Sequence, residues 1–230
     1  MNRSAWILVP LLIAATSTQA QARPAADTNS KEAQQYLAEF SDCVVKQKAY
    51  RTRVEAFLRS IPGTPEFDAA GFKAADLHCL DAAAARSHST ITMRMQPSVF
   101  RSGLYPALYK SRFGRTGPVS GLANTPPAQL SSEFDGPPTA LPKDYRPLRL
   151  LGDCVARTAP QVSHALLLAT PYKPAEDAAI EQLKPALETC ITQGQTVKFN
   201  RIALRAAVGE AMYKLSLAAL GPASGSKQRS

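Results

Sequence analysis

Two cysteine pairs constrain this chain more than any other feature: Cys43 and Cys79 stand 36 positions apart, and so do Cys154 and Cys190. Each pair opens on the same tripeptide, Asp42-Cys43-Val44 and Asp153-Cys154-Val155. Equal spacing behind an equal motif reads as an internal duplication, with one covalent staple per copy. Four cysteines permit three connectivities. The equal spacing favours Cys43–Cys79 with Cys154–Cys190, although exchanging partners between the copies would preserve the same symmetry. A bridge closing a loop of this size contributes about 3–4 kcal/mol in the chain-entropy description.

The N-terminus says where such bridges would form. Met1-Asn2-Arg3 carries one positive charge, an apolar run from Ala5 to Ala15 follows, and small residues frame Ala20-Gln21-Ala22. This order predicts a signal peptide over 1–22, cut after Ala22 or after Ala20. The apolar run falls short of the ~20 residues that cross a bilayer, and no later segment is long or apolar enough to be a transmembrane segment. A periplasmic or secreted protein is therefore expected, in an oxidising compartment that favours disulfides. Zinc is the competing use of cysteine. No Cys-x-x-Cys occurs, and His78, His88 and His164 lack ligand spacing. No metal and no cofactor is expected.

A shift of 111 positions lays Leu37, Phe40, Cys43 and Val44 on Leu148, Leu151, Cys154 and Val155. Such spacing is one apolar face of a helix. Asp42 precedes Lys46 by four residues and Asp153 precedes Arg157 by four, the geometry of ion pairs on a helix surface. The same shift aligns Phe72, Ala75, Cys79 and Leu80 with Leu183, Ala186, Cys190 and Ile191, a second apolar stripe. Thr64-Pro65-Glu66 supplies start signals for that helix, and Pro174, Glu176 and Asp177 repeat them. Pro185 falls inside the second copy's version and should kink it. Shorter helices are expected near Tyr50 to Arg59 and Pro160 to Ala169.

A closing helix aligns at a shift of 104, which puts seven extra residues around Arg86 to Ile91 in the first copy. Arg101, Tyr109 and Lys110 match Arg205, Tyr213 and Lys214, with Phe100, Leu104 and Leu108 over Leu204, Val208 and Met212. Arg101 and Tyr109 lie on one helical face, as do Arg205 and Tyr213, either as structural contacts or as a ligand-facing strip. The expected fold is all-α: two tandem helical repeats of about four helices, each with its own disulfide, packed into one body. The repeats cover 31–110 and 146–220. A linker or surface strap over 111–145 is rich in Pro and Gly, and 221–230 is expected to be a disordered tail.

The whole mature chain resembles a class of exported Gram-negative bacterial proteins built from paired helical repeats with one Cys pair each. Asp-Cys-Val at Asp42 and Asp153 carries the resemblance, with Phe199-Asn200-Arg201, Leu204-Arg205 and Met212-Tyr213-Lys214. It implies export, helices and bridges, and lends no activity.

Chemistry is harder to find. Gly117-Pro118-Val119-Ser120-Gly121 has one residue too many between its first Gly and the Ser for a nucleophile elbow, and phosphate loops and dinucleotide patterns are absent. A pair of carboxylates acting on peptidoglycan, or an esterase set, stays open as an alternative, as does a periplasmic chaperone or protective protein. The net charge is +9, or +8 once Arg3 leaves with the signal peptide. Export argues against nucleic acid, which leaves an anionic envelope polymer or an envelope protein as partner. Lys46, Lys48, Arg51 and Arg53 crowd the first repeat where the second has Arg157, Ala159, Val162 and His164. That cluster belongs to one copy only, so the fold does not require it. It is the expected anion contact of a non-enzymatic binding protein.

Overall fold

A computed structural model describes residues 31–81, 96–126, 130–191 and 200–221. The segment expected to be a signal peptide, the insertion carrying His88, Phe199 and residues 222–230 lie outside these. Among the described residues the chain is all-helical, without a strand. In the first half α1 (Lys31–Val44), α2 (Arg51–Arg59), α3 (Pro65–Ala74) and α4 (Pro97–Phe113) follow one another. A short α5 (Leu130–Glu133) interrupts the strap. The second half holds α6 (Tyr145–Thr158), α7 (Pro160–Leu168), α8 (Pro174–Cys190) and α9 (Arg201–Ala219). Both disulfides are internal to a half: Cys43–Cys79 and Cys154–Cys190, each with Cα atoms 5.7 Å apart.

Local chemistry accounts for the helix starts. The Thr64 hydroxyl accepts the Phe67 N–H at 3.2 Å, Pro65 fills the first turn, and Glu66 and Asp68 face its positive end. The Asn200 side chain accepts the Ala203 N–H at 2.9 Å at the start of α9. Pro97, Pro160 and Pro174 open α4, α7 and α8, where no amide donor is needed.

Each half has a core. Phe40, Val44, Val54, Phe57, Phe67, Phe100 and Leu104 form the first; Leu151, Val155, Leu166, Leu183, Val208 and Met212 belong to the second. Full burial of one such side chain stabilises by about 1.5–3 kcal/mol. The closing helices α4 and α9 pack on each other and join the halves. Tyr109 of α4 is buried in the second core, while Tyr213 of α9 touches both, its ring 6.1 Å from that of Tyr105.

The duplication is visible in one contact. A methyl placed on Gly103 of α4 would lie 2.5 Å from the Ser41 hydroxyl of α1, and one on Gly152 of α6 would strike the Ala207 carbonyl of α9. By the shifts above, Ser41 corresponds to Gly152 and Gly103 to Ala207. The same helix crossing is made twice, with the glycine on opposite partners.

The equal cysteine spacing conceals two compensating changes. Nine-residue α2 and α7 are offset by 109, not 111, as are Pro65 and Pro174. The first half spends two extra residues before α2, on the 3₁₀ turn Lys48–Tyr50, and two fewer between Pro65 and Cys79. The turn ahead of α3 and α8 obeys the same offset: Gly63 has φ 85° and Tyr172 φ 59°.

Several expectations require correction. Phe72 does not line a core stripe; α3 ends at Ala74, Ala75 is extended, and Phe72 points outward. The second half instead runs unbroken from Pro174 to Cys190 through Pro185. Asp42 pairs with Lys110 at 2.5 Å, not with Lys46, because α1 stops at Val44 and Lys46 lies beyond its last turn. Asp153 does bind Arg157, but as a buried residue rather than a surface one. The strap also packs: Leu122 and Phe134 are buried.

Candidate functional site

Arg101 and Arg205 occupy equivalent places on the closing helices and meet different partners. Arg205 donates to the carbonyls of Leu166 (2.6 Å), Leu167 (3.0 Å) and Ala169 (2.8 Å), which terminate α7, and to Glu176 Oε1 at 3.1 Å. Glu176 is the third residue of α8; the third residue of α3 is Phe67, committed to the first core. With no acid there, Arg101 turns to the other half. Its Nη1 and Nη2 donate to the two oxygens of Glu210, each at 3.0 Å.

Glu210 centres a buried chain of charges. It also accepts from Tyr145 at 2.7 Å and from Lys214 at 2.5 Å. Lys214 continues to Glu133 of the strap, Glu133 to Arg149, and Arg149 to Asp153 at 2.9 Å. Arg157 completes it, bonding Asp153 at 2.9 Å and the Thr125 carbonyl. Phe134 lies over this network beneath Arg101 and Lys214, its ring 5.4 Å from that of Tyr145. The Glu133 carboxylate and the Phe134 ring thus clamp the strap to this network, and Asp135 ties it separately to Arg59 of α2 at 2.7 Å. A mostly apolar hollow of about 300 Å³ opens beside it, reaching Phe67, Arg101, Tyr145, Leu148 and Glu210.

Burial pushes the Glu210 carboxyl upward, but Arg101 and Lys214 outweigh it and hold the group well below the usual carboxylate range. A glycosidase acid needs the reverse, a proton retained near neutrality. Glu210 is therefore a fixed anion that orders cations. An acid at position 210 among Val208, Ala211 and Met212 was a signal of this burial, because an unpaired carboxylate is not tolerated on an apolar face.

The tyrosines and His164 are also engaged. The Tyr109 hydroxyl and His164 Nδ1 lie 2.8 Å apart, linking α4 to α7. Burial raises the Tyr109 phenol above its ordinary value and lowers the His164 imidazole below its own. Tyr213 stacks edge-on near Phe113. Arg101, Tyr109, Arg205 and Tyr213 are brought to the junction of the halves, each with intramolecular partners. Among the described residues no group of three His, Cys, Asp or Glu is arranged to hold a metal ion.

The first half carries a different surface. Lys46, Lys48, Arg51 and Arg53 are all exposed, and no ion pair among the described residues engages them. Arg51 and Arg53 occupy the first turn of α2, which has no acid. Cations at that end oppose the helix dipole, so folding does not select for them. Arg53 lies over the Tyr50 ring at 4.9 Å. Beside it Phe72 is 66% and Leu77 67% exposed. They share a hollow of about 540 Å³ with Tyr50, Arg53, Lys73 and His78, and no carboxylate lines it. The second half lacks this surface: at the 109 offset Val162 and Glu181 stand where Arg53 and Phe72 do. The aromatic and aliphatic members escaped the sequence reading because a uniform shift of 111 placed Phe72 on buried Leu183.

No known family, curated protein or solved structure matches this chain.

Proposed function

We propose that this is an exported, non-catalytic protein that binds an anionic macromolecule of the cell envelope through the face bearing Lys46, Lys48, Arg51 and Arg53. One observation carries the reading: four exposed cations that no ion pair among the described residues engages, two of them placed against the dipole of α2. A signal-peptide-like N-terminus and two disulfides support export. The stapled, charge-locked junction serves as a rigid base that presents the face. Charge complementarity of this kind speeds encounter and makes binding salt-sensitive.

The test is retention of the purified protein on isolated envelope material at rising salt. Wild type is expected to be held at low salt and released as salt rises. The quadruple variant K46E/K48E/R51E/R53E is expected to wash through at every salt concentration. Equal retention of the two proteins overturns the assignment.

A further inference from the structure

We propose that the anionic partner is the surface of a phospholipid bilayer, entered to headgroup depth by Phe72 and Leu77. The inference rests on the binding reading above and adds the identity of the partner. A soluble polyanion is satisfied by cations alone and has no use for apolar side chains. Phe72, in the last turn of α3, and Leu77, three residues past its end, are each two-thirds exposed. A bilayer interface takes up both kinds of group, apolar side chains below the headgroups and cations among them.

The arrangement is built to hold those side chains outward. Helix α3 stops at Ala74, and extended Ala75 turns the chain away from the path followed by α8. Buried Asp76 accepts the His78 N–H at 3.1 Å with its side chain, while its carbonyl accepts the Cys79 N–H at 3.0 Å. Cys79, 1% exposed, is then tied to Cys43 of α1. Leu77 sits at the crest of this locked turn. Arg53 and Lys73 line the hollow between the prongs, and Tyr50, an amphipathic ring suited to the interface, forms its wall. Lys46 and Lys48 add positive charge on the turn leading to Tyr50, while Arg51 lines a separate hollow with Glu55 and Tyr213. Among the described residues no helix is long and apolar enough to cross a membrane, so the contact is peripheral.

The full chain is tested by co-sedimentation with phosphatidylcholine vesicles, with vesicles also containing phosphatidylglycerol, and on immobilised heparin. Expected are salt-sensitive binding to the anionic vesicles, none to phosphatidylcholine alone, and a loss of ~10-fold or more in the variant F72S/L77S. Leu150, 56% exposed on α6, supplies the control: L150S should bind as wild type. In the background W6F, the variant F72W should shift its emission to the blue on anionic vesicles. Vesicle binding by F72S/L77S equal to wild type, or no blue shift, overturns the lipid proposal. Binding to heparin without binding to vesicles also overturns it, while leaving the anion-binding reading intact. If protein-free vesicles fail to hold wild type but F72S/L77S is lost from envelope material, the partner is a protein and the proposal falls. Unchanged envelope retention of the charge-reversed variant removes the underlying reading instead.

Discussion

Arg101 and Glu210 grip each other at two points from helices of different halves, with both side chains buried. Their sequence counterparts are Arg205 and Pro106, which cannot form such a pair. This bond therefore has no symmetry-related counterpart, and it ties the two copies together. Removing one partner of a buried pair strands the other charge, at a cost of about 3–5 kcal/mol, whereas an apolar pair of similar volume is often neutral or better. Glu210→Ala is expected to lower the urea-unfolding free energy by that amount, and R101M/E210L to restore most of it. An E210A protein as stable as wild type would show the bond to be idle.

Acid sensitivity should come in two steps. Burial lowers the imidazole of His164, so the unfolded chain takes up its proton first; stability is complete above about pH 6.5 and declines below it. Arg101 and Lys214 overcome burial to depress Glu210, whose contribution is complete above about pH 4.3 and is lost as the pH falls further. Urea midpoints measured from pH 8 to pH 3 should show a shallow fall and then a steeper one. His164→Gln is expected to flatten the first, and R101M/E210L the second.

The duplicated helix crossing makes an exchange testable. Gly103→Ala alone crowds Ser41 and Leu37, and overpacking of this kind costs roughly 1–3 kcal/mol. Adding Ser41→Gly recreates the arrangement of Gly152 with Ala207. The double variant S41G/G103A should recover much of the loss, giving a favourable coupling in a double-mutant cycle followed by thermal unfolding. Additive effects would mean that the two crossings are not equivalent. Gly152→Ala should be the worst of the single changes, since it meets backbone.

What could be read from the chain and what could not divide along a physical line. Thr64-Pro65-Glu66 and Asn200 start helices through contacts three residues away, and such contacts travel with the sequence. The apolar periods of α4 and α9 likewise identify Phe100, Leu104, Leu204 and Val208 as core. Equal spacing in a duplicated unit favours Cys43–Cys79 with Cys154–Cys190 over the exchanged pairing, and the structure has the favoured pair. The proposed binding face was half legible: its cations stand out as charges that one copy has and the other lacks.

Its apolar half was hidden by the compensating shifts of two residues, which leave the cysteine spacing unchanged while moving Phe72 off the core. A helix that ends at Ala74 and one that runs on to Cys190 cannot be told apart by counting from the cysteines.

Composition, period and cysteine spacing thus determined an all-helical chain, copied once with a cysteine pair in each copy, and the structure joined each pair within its own copy. The tertiary structure alone decided that Arg101 finds Glu210, that Asp42 finds Lys110, and that Phe72 and Leu77 face out beside Arg53. Helix formation and capping depend on neighbours a turn away, whereas ion pairing and exposure depend on where helices cross, and crossings are set by packing between residues remote in sequence.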